Sequence, residues 1–537
     1  DSGSAGRGLP NYIGALSLTG SGGQLWYAGK KDNVLRGMAR DGQALTFETS
    51  MRALAGRVDV GTEQESIAAR VDIDDAARLS AVRVLPGDSL VALALEGNHE
   101  VVVLDTATRA ERARATVGLA PQGLAFDPGE RRLYVYNLLG RSVSVLDASA
   151  LLDGSAGNLP LIGEIGIAAS EPLSPAALLG KIVFYDASDE RMAADGDFAC
   201  AGCHLDGGHD GRTWDFSQLG EGLRNTTTLR GRAGMAQGPV HWSGNFDEIQ
   251  DFEIPIRALF GGSGFLSPSQ FASAGAPLGP PKAGMSVELD ALAAYLQTLD
   301  RHDRSPHRAA DGSLTADGLA GRGHFTTLQC QLCHSGTGFS DSPARLRHDV
   351  GSLGPDSGSR LDRPLRALDT PTLRGLWNTA PFLHDGSATT LEHVLVNAND
   401  GDGNGPHGDV ARLSAVERQQ LVAYLLQIDD SEAPLSSHRQ LQVTTSGQLH
   451  PGANVALGIQ STLAGIVRVE YRVDDAPIGT ATIAPFGIAW DVPSDASGDL
   501  EIEAHVSHNG GRFNTLSPPL HRTVEGTLSQ LFADGFE

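Results

Sequence analysis

The chain has few cysteines, few methionines and no long hydrophobic run. Four cysteines and five methionines occur in 537 residues, and all four cysteines fall within two Cys-x-x-Cys-His motifs. No cysteine therefore remains for a structural disulfide. No stretch approaches the roughly 20 apolar residues of a membrane-spanning helix, and the opening residues DSGSAGRGLP lack the basic and apolar regions of a signal peptide. We expect a processed, soluble form.

Positive charge is also scarce. The 41 lysines and arginines are outnumbered by 65 acidic residues, which gives a net charge of -24. Without a basic run to neutralise phosphates, nucleic acid is not an expected partner. The length exceeds what one hydrophobic core supports, so several domains are expected.

Residues 1–165 show short apolar stretches separated by turn residues. Segments 91–105 and 133–147 match at a spacing of 42, and a weaker copy covers 25–36. This period is typical of β-propeller blades, and the segment resembles the YVTN type of repeat. Three blades are too few to close a ring, so we expect a missing N-terminal portion or another polypeptide to complete it. An ordinary antiparallel sandwich is the alternative.

The pattern becomes helical between residues 166 and 435. Segments 287–299 and 415–428 place apolar residues at helical spacing and share Leu-x-Ala-Tyr-Leu. Each follows one Cys-x-x-Cys-His motif, which indicates a duplicated module with halves at 166–305 and 306–435.

Alternation returns in residues 436–525, with candidate strands at 467–473, 479–483, 488–492 and 500–506. This segment resembles the bacterial immunoglobulin-like modules of secreted proteins and suits a small β-sandwich. The tail, 526–537, has no physical explanation.

Both Cys-x-x-Cys-His motifs have the spacing of covalent haem attachment. The two thiols bond the vinyl groups of haem, and the histidine that follows binds the iron. A zinc site or a redox dithiol is the alternative. Haem is attached in this way outside the bacterial cytoplasm, so a periplasmic or extracellular location is expected. The motif residues are Cys200, Cys203 and His204, and Cys330, Cys333 and His334.

Three further segments carry a family resemblance. Residues 179–186 (LGKIVFYD), 224–229 (RNTTTL) and 369–395 (DTPTLRGLWNTAPFLHDGSATTLEHVL) resemble the bacterial di-haem cytochrome c peroxidase and MauG family. The resemblance covers roughly residues 175–430. It implies a peroxide-reactive haem on the first motif, an electron-relay haem on the second and a calcium ion between them. The expected fold is therefore a partial propeller, two mostly α cytochrome c-like modules and a β-sandwich.

The second haem needs another axial ligand if it only relays electrons. The family places methionine or tyrosine at the position of Ala398, which cannot bind iron, and no methionine follows Met285. We therefore predict His407 as the distal ligand, with a solvated loop residue as the alternative. The competing histidines are His348, His384 and His393. His384 lies in the family's His-Asp-Gly turn, where a packing or supporting role is favoured.

For the first haem, the family's displaceable histidine corresponds to Gly220, which implies an open, MauG-like iron. Its remaining candidate ligands are His209, His241, Met235 and Met285. By family position Trp242 lies between the haems, where an indole could carry an electron hole; a core tryptophan is the alternative.

Cleavage of peroxide needs a base and a polar group beside the leaving oxygen. Gln250 and Glu253 are the candidates, whereas Asp247, Glu248 and Asp251 fit a solvated helix face equally well.

The resemblance also implies calcium ligands: the side chain of Asn225 and the carbonyls of Thr370 and Thr372. Calcium prefers such oxygens, although asparagine followed by threonines is also common in caps and turns.

The leading function is a secreted di-haem oxidoreductase that uses hydrogen peroxide together with an electron-donor or oxidised partner protein. One alternative is an electron-transfer or structural cytochrome whose outer modules dock partners. Another is a di-haem oxygenase that acts on an extracellular polymer.

Overall fold

The computed structural model describes residues 8–33, 50–168, 170–397, 407–408, 410–436, 439–511 and 513–524. They form two compact units, Asp1–Leu219 with Ile249–Leu299 and Gly220–Glu248 with Asp300–Glu537. Residues 220–248 thus belong to the second unit, although they follow the first Cys-x-x-Cys-His motif. Position 398 and the tail at 526–537 lie outside the described residues. Within those residues, no helix combines the length and hydropathy needed to cross a bilayer.

The first unit begins with three antiparallel sheets whose strands follow mostly in sequence order. The first sheet has five strands, with β5 paired to β3, and the next two have four each. The matching segments 91–105 and 133–147 each cover the second and third strands of one sheet, in two successive sheets, which is consistent with repeated blades. Closure of these sheets into a propeller stays a prediction. The strands are β1 (Leu9–Leu18), β2 (Gln24–Asp32), β3 (Met51–Asp59), β4 (Gln64–Glu65), β5 (Val71–Ile73), β6 (Leu79–Val84), β7 (Leu90–Leu95), β8 (Glu100–Asp105), β9 (Glu111–Thr116), β10 (Pro121–Asp127), β11 (Arg132–Asn137), β12 (Ser142–Asp147) and β13 (Leu161–Gly166), with helix α1 (Ser149–Leu152) before β13.

Helices complete the first unit. Helix α2 starts where the Ser174 side chain accepts a hydrogen bond from the amide of Ala177, with proline at its first position. Its Gly180 lies against α5, where a Cβ would overlap the carbonyl of Ala291. Only glycine allows this close crossing of the two helices. The elements are α2 (Pro175–Tyr185), β14 (Thr213–Asp215), α3 (Glu253–Ala258), α4 (Pro268–Ala274) and α5 (Val287–Gln297).

The second unit repeats this helix pair. Thr315 caps α6, and Ser414 with Glu417 forms a reciprocal capping box at α8. The helices cross at Gly321, where a Cβ would overlap the carbonyl of Gln420. The same glycine-mediated crossing therefore occurs in both halves of the predicted duplication. The helices are α6 (Ala316–Thr327), α7 (Leu391–Asn397) and α8 (Ala415–Leu425).

A seven-stranded and a three-stranded sheet enclose the C-terminal core. The larger runs β19-β16-β26-β25-β22-β23 with β27 on β25, and the smaller runs β20-β21-β24. Tyr471, Trp490 and Ile502 are buried between them. The strands are β15 (Leu223–Asn225), β16 (Arg347–Asp349), β17 (Ser359–Arg360), β18 (Arg363–Pro364), β19 (Leu368–Asp369), β20 (Leu441–Thr445), β21 (Asn454–Ser461), β22 (Arg468–Val473), β23 (Ala476–Ala481), β24 (Ile488–Asp491), β25 (Gly498–His508), β26 (Phe513–Leu516) and β27 (Leu520–Val524).

Two features of this sheet differ from the sequence prediction. Strand β23 begins three residues earlier than the predicted 479, because Asp474 and Asp475 adopt positive φ angles and form a two-residue hairpin turn. In addition, β16 from the cytochrome-like segment pairs with β26, with His348 opposite Thr515. The C-terminal module thus shares a sheet with the second Cys-x-x-Cys-His region.

Candidate haem sites

The first motif folds into a single tight turn, Cys200–Gly202. The amide of His204 donates to the carbonyl of Cys200 at 2.9 Å. The Nδ1 atom of His204 lies 3.1 Å from the carbonyl oxygen of Gly208. This contact favours the tautomer protonated at Nδ1, which presents the Nε2 lone pair to a metal.

The second motif has the same local geometry. Its turn covers Cys330–Leu332, and the amide of His334 donates to the carbonyl of Cys330 at 3.0 Å. The Nδ1 atom of His334 lies 3.2 Å from the carbonyl oxygen of Phe339. Both histidines are therefore oriented through the ring nitrogen that a metal would not use.

Burial raises the pKa of both Cys200 and Cys330 to about 12. Within the described part of the chain, one group of three potential metal ligands lies within 4.8 Å: Cys333, Asp341 and His348. It holds a single thiol, and His348 Nε2 already lies 2.9 Å from Asp341 Oδ2.

A cavity of about 230 Å³ lies beside the second motif. Cys330, Cys333 and His334 line it, together with His407. Its apolar wall comes from the three helices of the second unit. The helix residues of that wall include Phe325, Leu391, Val394, Leu395, Leu421 and Leu425.

The rings of His334 and His407 are separated by 6.4 Å between their centroids. Each bond from a metal to an imidazole nitrogen is about 2.0–2.1 Å long, so two rings at this separation leave room for one metal ion between them. Burial, with a smaller contribution from His334, lowers the pKa of His407 to about 4. Its neutral form at neutral pH is the one that binds metals. Ligation by His407 stays a prediction, but the geometry accommodates it.

The competing histidines have other partners. His348 Nδ1 lies 3.0 Å from Thr515 Oγ1, and its Nε2 faces Asp341. His384 is fully buried, with Nε2 2.8 Å from Ser357 Oγ, which fits the expected supporting role. His393 lies within α7, where its amide donates to Thr390 Oγ1.

The three predicted calcium ligands line the same cavity. Asn225 is buried and donates Nδ2 to the carbonyls of Pro381 (2.6 Å) and Leu383 (3.2 Å). Its Oδ1 is buried without a hydrogen-bond partner in the described structure. A buried oxygen of this kind needs a donor or a cation. The carbonyl of Thr370 accepts from Ser340 Oγ at 2.6 Å, and Thr372 Oγ1 donates to the carbonyl of Gly338.

Trp242 also lines this cavity. Its indole Nε1 donates to the carbonyl of Asn225 at 2.8 Å, and its own carbonyl accepts the amide of Asp369. Position 220 lies in the same unit and has a φ of +75°, where a Cβ would lie 2.8 Å from Ser359 Oγ. No larger side chain fits there without a shift, so glycine at this position has a local structural reason.

Gln250 and Glu253 belong to the first unit and have structural partners. Gln250 Nε2 donates to Asp290 Oδ1 at 2.7 Å. Glu253 is fully buried and accepts hydrogen bonds from Arg257 Nε and from the amides of Phe265 and Leu266. Its carboxylate thus holds the loop that follows α3.

The other acidic residues and the first-haem candidates are placed as follows. Asp251 forms a buried ion pair with Lys282 at 2.6 Å, and Asp247 pairs with Arg345 at 3.2 Å. Met285 and Cys200 both pack against one apolar cluster, which includes Ile256 and Leu289. His209 Nδ1 accepts a hydrogen bond from the amide of Gly211, and His241 Nδ1 lies 2.8 Å from Asn245 Oδ1. The carbonyl of Met235 accepts a hydrogen bond from the amide of Gly238, and Glu248 belongs to the second unit.

Several residues around the sites were not singled out in the sequence analysis. Arg439 lies 3.3 Å from Cys333 Sγ. Arg232 and Asp369 line the cavity of the second motif, and burial raises the pKa of Asp369 to about 7. In the first unit, the Tyr12 hydroxyl donates to the carbonyl of Cys203 at 3.0 Å. These contacts join distant parts of the chain, and no local spacing reveals them.

Part of this chain is similar to known proteins. A family described as RoxA-like, cytochrome c-like matches residues 368–400. Hydrazine synthase subunit gamma of Kuenenia stuttgartiensis is 30% identical over 282 residues, which cover 44% of this chain and 74% of that protein. Methylamine utilization protein MauG of Methylophilus methylotrophus is 26% identical over 290 residues, 48% and 84% of the two chains. A solved hydrazine synthase of K. stuttgartiensis aligns over 48% of this chain and 89% of its own, with 26% identity and a TM-score of 0.36.

Cytochrome c peroxidases are also among the relatives, including the cytochrome c551 peroxidase of Nitrosomonas europaea at 25% identity. Relatives of this kind imply covalently bound haem c, as the two motifs do. The chain belongs to the family of c-type haem oxidoreductases that contains hydrazine synthase subunit gamma, MauG and the bacterial cytochrome c peroxidases.

Proposed function

We propose that this chain is an exported di-haem oxidoreductase of the cytochrome c peroxidase and MauG class. The observation that carries the proposal is the pair His334 and His407, whose rings face one cavity that Cys330 and Cys333 also line. In this proposal the second motif holds the electron-relay haem and the first holds the peroxide-reactive haem.

At the second motif, four residues of the chain would hold the electron-relay haem. Cys330 and Cys333 would form the thioether bonds, and His334 and His407 would bind the iron. When bound, haem supplies the one-electron redox chemistry. Two imidazole ligands would keep the coordination constant during electron transfer, and the apolar helix residues would limit the access of water.

On the reactive side, Cys200, Cys203 and His204 would hold the first haem. Gly220 carries no side chain at the position of the family's displaceable histidine, which supports an iron open to peroxide. Gln250 and Glu253 are the proposed polar groups for proton movement and for holding the leaving oxygen. Glu253 would first have to release Arg257 and the amides of residues 265 and 266, whereas Gln250 would only exchange its partner Asp290.

Trp242 and calcium complete the proposal. The indole of Trp242 would carry an electron hole towards the relay haem, in the cavity that it lines. Asn225 Oδ1 fits a calcium ion because it is buried without a donor, and the carbonyls of Thr370 and Thr372 would add oxygen ligands. The outer β-modules would bind the electron-donor or oxidised partner protein, and a further polypeptide would complete the propeller.

The test is spectroscopic and kinetic. Electron paramagnetic resonance of the oxidised protein should show one high-spin and one low-spin haem, and the high-spin signal should change on adding hydrogen peroxide. Two low-spin signals that persist after half-reduction, with no peroxide reaction, would instead identify an electron-transfer cytochrome. The oxygenase alternative predicts a stable dioxygen adduct of the reduced protein.

A further inference from the structure

A fully buried lysine lies beside the first Cys-x-x-Cys-His motif, on strand β2 of the N-terminal sheet. Lys30 Nζ is 2.9 Å from Asp32 Oδ1 and 3.1 Å from Asp210 Oδ2, and none of the three side chains is exposed to solvent. Burial alone would lower the pKa of Lys30, but the two carboxylates outweigh it and raise the pKa. The side chain is therefore a permanent buried cation.

Two oxidisable aromatic rings surround this cation. Lys30 Nζ lies 5.0 Å from the ring centroid of Tyr12 and 5.3 Å from that of Trp214. Tyr12 donates its hydroxyl to the carbonyl of Cys203, and Trp214 packs in one apolar cluster with Cys203. Both rings thus lie next to a residue that would be bonded to the first haem.

Asp210 decides how readily Trp214 can be oxidised. Its Oδ2 accepts the indole Nε1–H of Trp214 at 3.0 Å and also binds Lys30 Nζ. A carboxylate on an indole N–H stabilises the positive charge that oxidation creates, and it can take the proton. Lys30 opposes the oxidation of Trp214 in two ways. It neutralises the negative charge on the same Asp210 oxygen, and it places a positive charge near the indole ring.

We propose that Lys30 keeps Trp214 and Tyr12 reduced, so that oxidising equivalents from the first haem do not pass into the N-terminal sheets. The inference rests on the proposed peroxide reaction. The step that Lys30 opposes is the loss of one electron from the Trp214 indole to the oxidised haem, with transfer of the Nε1 proton to Asp210. A second electron loss and addition of one water molecule give hydroxytryptophan. The two electrons and two protons released reduce one hydrogen peroxide to two waters.

The experiment compares Lys30→Met with Lys31→Met in the full di-haem protein. Lys31 is the adjacent buried lysine of β2, and its partner is Asp72 at 2.6 Å. Its replacement therefore removes a buried cation from the same strand without touching the Asp210 carboxylate. Each protein is treated with a few equivalents of hydrogen peroxide, and oxidation of Trp214 and Tyr12 is mapped by peptide mass spectrometry. The haem absorbance is recorded in parallel.

Oxidation of Trp214 should rise about tenfold in Lys30→Met and stay at the wild-type level in Lys31→Met, since a charge at this distance changes an equilibrium by tenfold or more. Lys30→Arg, which keeps the charge, should behave as wild type. If the haems react but Lys30→Met and Lys31→Met show equal oxidation, the inference about Lys30 is wrong and the proposed function stands. If no haem reacts with peroxide, the proposed function fails and the inference fails with it.

The wild-type map alone is decisive where Lys30→Met does not fold. Trp214 and Tyr12 should then remain unmodified after the haems have reacted. Their oxidation in the wild-type protein would overturn the inference.

Discussion

The sheet that joins the C-terminal module to the second cytochrome-like half contains a largely buried ion pair between Arg347 on β16 and Glu503 on β25. Burial alone would raise the pKa of Glu503, but the attraction of Arg347, His505 and Arg360 lowers it from 4.5 to about 2. This lowering of the pKa of Glu503 corresponds to about 3 kcal/mol of stability at neutral pH. We expect Glu503→Gln to lose about this amount in the free energy of unfolding.

The pH dependence gives the prediction its sign. A depressed carboxyl pKa stabilises the fold above the unfolded-state pKa, and the contribution disappears as pH falls through the folded-state value. The difference between wild type and Glu503→Gln should therefore be about 3 kcal/mol above pH 5, about 2 near pH 3.5 and under about 1 at pH 2.5. Urea denaturation at each pH, followed by circular dichroism, measures it.

Glu501 provides a matched control on the same strand. It pairs with Arg363, which is 38% exposed, so Glu501→Gln should cost under about 1 kcal/mol. A loss of stability in Glu503→Gln that does not change between pH 7 and 2.5 would refute the reasoning, because the pair would then contribute through packing rather than charge.

Two further predictions concern the helix crossing and the calcium site. Gly321→Ala should destabilise the second unit by about 1–3 kcal/mol, because its Cβ would overlap the Gln420 carbonyl. Gly323→Ala on the same helix meets nothing within 4 Å and should stabilise the unit by up to about 1 kcal/mol. Thermal unfolding of both variants checks this, and equal effects would contradict a close crossing. Asn225→Ala should weaken calcium binding at least about tenfold, while Asn225→Asp keeps a ligand oxygen and retains it; isothermal titration after chelator treatment decides, and unchanged affinity in Asn225→Ala would exclude Asn225 as a ligand.

The parts of the fold that depend on local chemistry could be predicted from the sequence. Cys-x-x-Cys-His must fold into one turn to reach haem. The apolar pattern of residues 415–428 predicted helix α8, which ends at Leu425, three residues before the predicted end. His407 was reached by elimination, because methionine and tyrosine are missing where a ligand is needed. The centroid of its ring lies 6.4 Å from that of His334, a proximity that no periodicity in its glycine-rich loop indicates, and its binding to iron stays a prediction.

Contacts between distant segments were not predictable. The carboxylate of Glu253 has a catalytic residue type, but its bonds to Arg257 and to the amides of residues 265 and 266 depend on how the chain turns after α3. Lys30 looks like an ordinary charged strand residue until Asp210, far along the chain, is placed against it. The pairing of β16 with β26 likewise depends on tertiary packing, which short strands do not encode.

The central claim is that the two haem sites are unequal and that His407 completes the second. Low-temperature electron paramagnetic resonance of oxidised wild type, His407→Ala and the control His393→Ala tests it most directly. The account predicts that His407→Ala alone loses the low-spin signal and gains a second high-spin signal, while the signal of the first haem is unchanged. A low-spin signal that survives in His407→Ala would contradict it.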